Sequence, residues 1–221
     1  MNPRAIRGFA SSPDWAARIC GWGLALFVMF SLNALAFSSS LQPEEVRDAY
    51  SLGQSSNHEE LAKFHSQYLH KFSYPANNPV VYVMSAEFQT PYEQIVARSQ
   101  QSIHYSKFQA DDDYRANPRL VVVKVEFSLR LNYAGPEPPA DDFKVFVSQV
   151  RSIEPRKIAN TVTCDPYYSG SYGLNTNCQM YTREILLQFG AGQFGTGAAE
   201  IKIQTPDGQT VQTRFNLDKL K

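Results

Sequence analysis

Apolar and polar side chains alternate most regularly over residues 120–133. There Val121, Val123, Val125, Phe127, Leu129, Leu131 and Tyr133 interleave with Val122, Lys124, Glu126, Ser128, Arg130 and Asn132. A period of two marks a strand with one buried face. At roughly 3.3 Å per residue the stretch would run about 45 Å, past the usual strand length, so a bend or bulge is expected in a strand placed centrally in its sheet.

Upstream the period becomes helical. Pro43 can open a helix without losing a bonded N–H, and Val46, Ala49 and Tyr50 share a face before Gly53. Asn57 can cap a second helix with Glu60 three residues on, and Leu61, Phe64, Tyr68, Leu69 and Phe72 form its stripe. After a short serine linker the two are expected to make a helical hairpin within residues 37–79, buried against a sheet. Residues 80–89 read as the first strand. Thr90-Pro91-Tyr92-Glu93 then supplies a cap hydroxyl, a proline at the first helical position and a carboxylate three residues after the cap. A helix with a capping box should run from Pro91 to near Tyr105 on Tyr92, Ile95, Val96 and Ile103. Residues 111–116 add one turn before Asn117-Pro118, which closes a helical insert over 91–117.

The remainder is strand and turn. Residues 143–150, 158–163, 181–189, 199–205 and 211–217 read as strands, with a Gly/Pro loop at 135–139 and a Pro206-Asp207-Gly208 turn in a C-terminal hairpin. About seven short strands spaced by turns predict an antiparallel immunoglobulin-like β-sandwich over residues 80–221, since a parallel sheet needs helical crossovers. The fold class is therefore mainly β with helical additions.

The first 36 residues read differently. Arg4, Arg7 and Arg18 lead into an apolar run, residues 19–35, that ends in Ala34-Leu35-Ala36, the pattern of a signal peptide cleaved after Ala36. An uncleaved anchor with its arginines kept inside is the competing reading, because 17 residues is long for the apolar region of a signal and slightly short for a span. Cys20 stands at the start of the run, the wrong end for lipid attachment at a cleavage site. Cleavage would take three Arg and one Asp from the 21 basic and 21 acidic residues, leaving 18 and 20. So nearly neutral a chain has no footprint for nucleic acid.

Cysteine use agrees with export to the periplasm or beyond. Cys164 and Cys178 are an even pair in an oxidising compartment and are expected to form one disulfide, which would contribute roughly 3 kcal/mol by loop closure. Between them lie Tyr167, Tyr168, Tyr172 and Asn175, in a segment rich in Ser and Gly. Tyrosine gives contact area at low entropy cost and the small polar residues adapt, so a recognition loop is one reading and a plain surface loop the other.

Four short stretches resemble, as a set, uncharacterised exported bacterial proteins: residues 44–50 with Leu52-Gly53, Thr90-Pro91-Tyr92, residues 114–118, and Thr205-Pro206-Asp207-Gly208. The resemblance implies export and attaches no activity or site residues.

No set of side chains spells out a reaction. Residues 190–195 match G-x-G-x-x-G, but a strand and not a helix is expected next, so a pyrophosphate would lack its helix N-terminus. Gly170-Ser171-Tyr172-Gly173 lacks the spacing of a nucleophile elbow, and no histidine follows His104. His58, His65 and His70, on the second helix, are spaced by seven and five, not the four that zinc ligands on one helix face need. Asp111-Asp112-Asp113 lacks the glycine turn and spacing of a calcium loop, Glu93 has a capping role, and Glu126 faces solvent on its strand. No catalytic residue, cofactor or metal is assigned. The expectation is an exported binding or structural module for an extracytoplasmic protein or glycan, touching the membrane only if the N-terminal segment is uncleaved. A membrane-tethered envelope assembly subunit and an envelope enzyme with a site built from scattered residues are the alternatives.

Overall fold

The computed structural model describes residues 39–77, 79–102, 104–117, 119–130, 138–164 and 180–221. In chain order these form α1 (Pro43–Gly53), α2 (His58–His65), β1 (Leu69–Lys71), β2 (Val81–Gln89), α3 (Pro91–Gln101), α4 (Lys107–Ala116), β3 (Leu120–Arg130), β4 (Lys144–Ser148), β5 (Ser152–Ile153), β6 (Lys157–Cys164), β7 (Met180–Gly190), β8 (Ala198–Gln204) and β9 (Thr210–Asn216).

The described chain is mainly β, in two antiparallel sheets. One has the order β1-β2-β3-β7-β6 and the other β5-β4-β8-β9. Their inward residues share one core, in which Phe88 of β2 meets Phe215 of β9 and Phe127 of β3 meets Phe143 beside β4. β3 is the central strand of the larger sheet, as its alternation predicts: Val121, Val123, Val125, Phe127 and Leu129 are all fully buried. Leu131, Asn132 and Tyr133 lie outside the described residues.

The expected irregularity falls on β3's neighbour. β3 pairs with β7 without a break from Leu120↔Gly190 to Arg130↔Met180. On its other side Val83 pairs with Phe127 and Ser85 with Glu126, so Met84 is an extra residue, a bulge in β2. The bulge reverses which residues face in. Val81 and Val83 point to the core before it, and Ala86 and Phe88 after it. Ser85 and Glu87 are thereby turned outward beside Glu126 and Lys124.

The helices have a second, smaller core of their own, built from Val46, Ala49, Leu61, Tyr92, Ile95, Val96 and Ala110, and Phe64 packs against both cores. The two N-terminal helices do not pair as the expected hairpin. α1 packs on α3 and α4 instead, because Gly53 brings its end onto α3: a Cβ there would stand 2.4 Å from the Val96 carbonyl oxygen. α2 stops at His65, short of the expected stripe. Tyr68 lies in the following turn, and Leu69–Lys71 join the sheet through Leu69↔Glu87 and Lys71↔Ser85. α3 ends at Gln101, earlier than expected, and α4 is a full ten-residue helix opened by a Ser106/Gln109 capping box. In the C-terminal hairpin, Thr205 and Gln209 close a Pro206-Asp207-Gly208 loop, with Gly208 at φ 83°.

Candidate functional site

The outer face of the larger sheet carries a polar cleft of about 420 Å³, bordered by His65, Leu69, Lys71, Met84, Ser85, Glu87, Lys124 and Glu126. Its centre is Lys124. The ammonium lies 3.1 Å from Glu126, 3.3 Å from Glu87 and 3.8 Å from Glu184, a carboxylate each from β3, β2 and β7. Ser85 Oγ donates to the other Glu126 oxygen at 2.9 Å. Outward-facing positions on three adjacent strands thus converge, and the bulge at Met84 is what turns two of them outward.

The electrostatics follow from crowding. Burial works to lower the Lys124 pKa, but Glu87 and Glu126 outweigh it and hold the ammonium above its ordinary range. Burial works to raise Glu126, and the Ser85 hydroxyl with Lys124 outweighs it and lowers the carboxylate. A lysine so held stays protonated, which unsuits it to the neutral-amine chemistry of a Schiff base. The charged groups and the Ser85 hydroxyl along the cleft lining can offer charge and hydrogen bonds to a polar group.

At one end of the cleft stands His65. Its Nδ1 is 3.2 Å from Glu93 Oε1 and its Nε2 is 2.9 Å from Gln100 Oε1. The Glu93 side chain is 1% exposed, and its second oxygen makes no hydrogen bond among the described residues. Burial pushes the Glu93 carboxyl up, and the hydrogen bond to Glu93 pushes the His65 imidazole up. Both ring nitrogens are engaged, so His65 is not poised as a free base. Thr90 accepts from the Glu93 amide as expected, but only this half of the capping box forms, because the Glu93 carboxylate turns to His65.

A second feature lies where the sheets open. A groove of about 530 Å³ runs between β4 and β6, walled by Phe143, Val145, Phe146, Ile158, Ile185 and Leu187. Ile158 is 62% and Phe146 48% exposed. Among the described residues β6 is an edge strand, eight residues long and paired to β7 with no register break.

The residues singled out in the sequence disperse. Cys164 ends β6, while Cys178, Tyr167, Tyr168, Tyr172, Asn175 and Ala36 lie outside the described residues. His70 is on β1 and not on the second helix, edge-on to Phe72, and only His65 reaches the cleft. Asp113 accepts from Arg98 at 2.7 Å and from the Tyr105 hydroxyl at 3.0 Å, so it joins α3 to α4. Among the described residues no group of three His, Cys, Asp or Glu side chains is placed to hold a metal ion. Gly190 closes β7 and is followed by a single 3₁₀ turn and then β8. Glu126, expected to face solvent, instead anchors the cleft network. The sequence reading missed that network because Lys124, Glu87 and Glu184 acquire meaning only through strand register. A signal did exist for the bulge: the apolar positions of β2 shift from odd (81, 83) to even (86, 88).

No helix among the described residues is long and apolar enough to cross a membrane, and the apolar run 19–35 lies outside them. Neither a protein-family model nor a curated protein matches the chain.

Proposed function

We propose that the chain is an exported, extracytoplasmic binding module of immunoglobulin-like fold that takes an extended segment of a partner protein alongside β6. The fold reading rests on strand order. With the short β1 and β5 set aside, the other seven strands become A to G in sequence, and the sheets then run A-B-E-D and C-F-G. Constant-type immunoglobulin sandwiches have that arrangement. Export rests on the arginine, apolar and Ala34-Leu35-Ala36 pattern.

The observation that carries the function is β6. It is a full-length edge strand without proline or bulge, devices by which edges are blunted, and it borders an apolar groove. An added strand would satisfy its outward backbone groups and set alternate side chains into the groove. The tyrosine-rich segment begins where β6 ends, so a contribution from Tyr167, Tyr168, Tyr172 and Asn175 would extend the same contact.

The test uses the protein in its native envelope. A photoreactive phenylalanine analogue at Ile158 should trap a partner, and the same probe at exposed Gln212 on β9 should not. Trapping should vanish when Phe146→Asp is added, with the circular dichroism spectrum and Tm unchanged, because Phe146 is half exposed. Equal trapping at both probes would refute the reading. A membrane-tethered form of the same module follows if Ala36 is not a cleavage site. N-terminal sequencing of the exported protein decides between an end at Phe37 and an end at Met1.

A further inference from the structure

α2 is lightly held. Of its eight residues only Leu61 is fully buried, with Phe64 half-buried between the two cores. Its last residue, His65, is tied to both ends of α3, to Glu93 in the first turn and Gln100 in the last. Both of these partners present oxygens. A neutral imidazole has one N–H to give, so two facing acceptors suit the doubly protonated ring or a proton carried by Glu93. Without that proton, an ionised carboxylate with one unbonded oxygen would be left in a site closed to water.

We infer that His65 and Glu93 form a proton-operated latch, which holds α2 and the chain entering β1 against α3 while the proton is present and frees them when it leaves. His65 and Leu69 border one end of the polar cleft, so release of the latch widens it.

The surroundings favour this direction. Facing the pair are Glu87 of β2, which disfavours a second negative charge, and Lys124 of β3, whose charge is already shared among three carboxylates. Tyr68 and Tyr92 are pushed up to about 12 by burial and remain neutral. On the far side, Asp48 and Glu45 of α1 and the Lys221 ammonium act on Tyr92, the latter 5.3 Å from its ring. His65 is raised from 6.5, so its contribution is whole below that value and lost as pH climbs through the raised one. Glu93 is raised from 4.5, so its contribution is likewise whole in acid and lost on the way up. The pair shares one proton, so the two raised groups describe a single loss, and the latch loosens as pH climbs above about 6.5.

Hydrogen exchange of the intact protein tests it. After correction for intrinsic rates, α2 amides should exchange roughly fivefold or more faster at about pH 8.5 than at about pH 5.5, as expected for losing a half-buried charge-assisted bond, while β3 amides keep their protection. Glu93→Gln should flatten that dependence. Wild-type α2 protection that ignores pH, or an unchanged dependence in Glu93→Gln, would overturn the latch. Should that variant not fold, the ring-proton NMR titration of His65 in the wild type decides. A midpoint above about 6.5 supports the latch, and one at or below it refutes it.

Discussion

Lys124 is the residue on which most of the outer sheet face depends. Its ammonium separates three carboxylates that register would otherwise set side by side. Lys124→Met should cost about 1–2 kcal/mol at neutral pH, a figure kept small because the groups retain partial exposure. For the wild type, Glu126 is lowered below 4.5, so its share of stability is present above that value and lost only as pH falls through the lowered one. Urea titrations at neutral and acid pH check both statements. Little of this was legible in the sequence. Lys124 and Glu126 read as an ordinary polar face, and Glu93 as a cap, because their partners sit on elements whose pairing no local pattern specifies.

Elements show a graded legibility. α1, the start of α3, the C-terminal turn and the inner face of β3 follow from caps, prolines, glycines and periods, and the structure has them where the chain places them. α2 is shorter than its pattern predicts because Tyr68 and Phe72 continue the spacing of Leu61 and Phe64, and helical spacing cannot tell a last turn from a turn leading into an edge strand. α4 is longer than its pattern predicts because Ser106 caps a polar decapeptide, with Gln109 at its third position, that buries only Ala110. Ser106→Ala should therefore lower stability by about 1 kcal/mol, seen as earlier exchange of α4 amides. Gly53 marks the helix stop in the sequence, and it also permits the close approach of α1 to α3. Gly53→Ala should cost about 1–3 kcal/mol, since the obstacle at 2.4 Å is backbone and cannot rotate aside. Deleting Met84 should do less harm than that. Ser85 then follows Val83 in regular alternation and Ser85, Ala86, Glu87 and Phe88 all keep their faces, and a retained cooperative melting transition would register it.

At the scale of the whole molecule, the mainly β, antiparallel character was readable from turns and alternation. The division into two cores was not, because the helical core draws on residues from Leu41 to Ala110 that no single period connects. Phe127 sits in the larger core, edge-on to Phe143. Phe127→Ala should cost about 3–5 kcal/mol and lower Tm by roughly 10 °C. If Cys164 and Cys178 pair, thiol titration of denatured, unreduced protein should find neither free, and reduction should lower Tm by several degrees, matching a loss of about 2–4 kcal/mol. Two titratable thiols would disprove the bridge.

The unbroken pairing of β3 with β7 also bears on how the chain must be made. β3 acquires its first neighbour only when the helical insert has closed behind β2, and its second only when Gly190 has been synthesised and brought back to Leu120. Until then, eleven residues of Val-rich strand stand with an open edge, the exposure from which aggregation starts. A long-range closure of this kind is slow. Truncation before Met180 therefore creates a sticky chain rather than a smaller domain, and whatever accompanies the new chain has to guard this strand until β7 has been made.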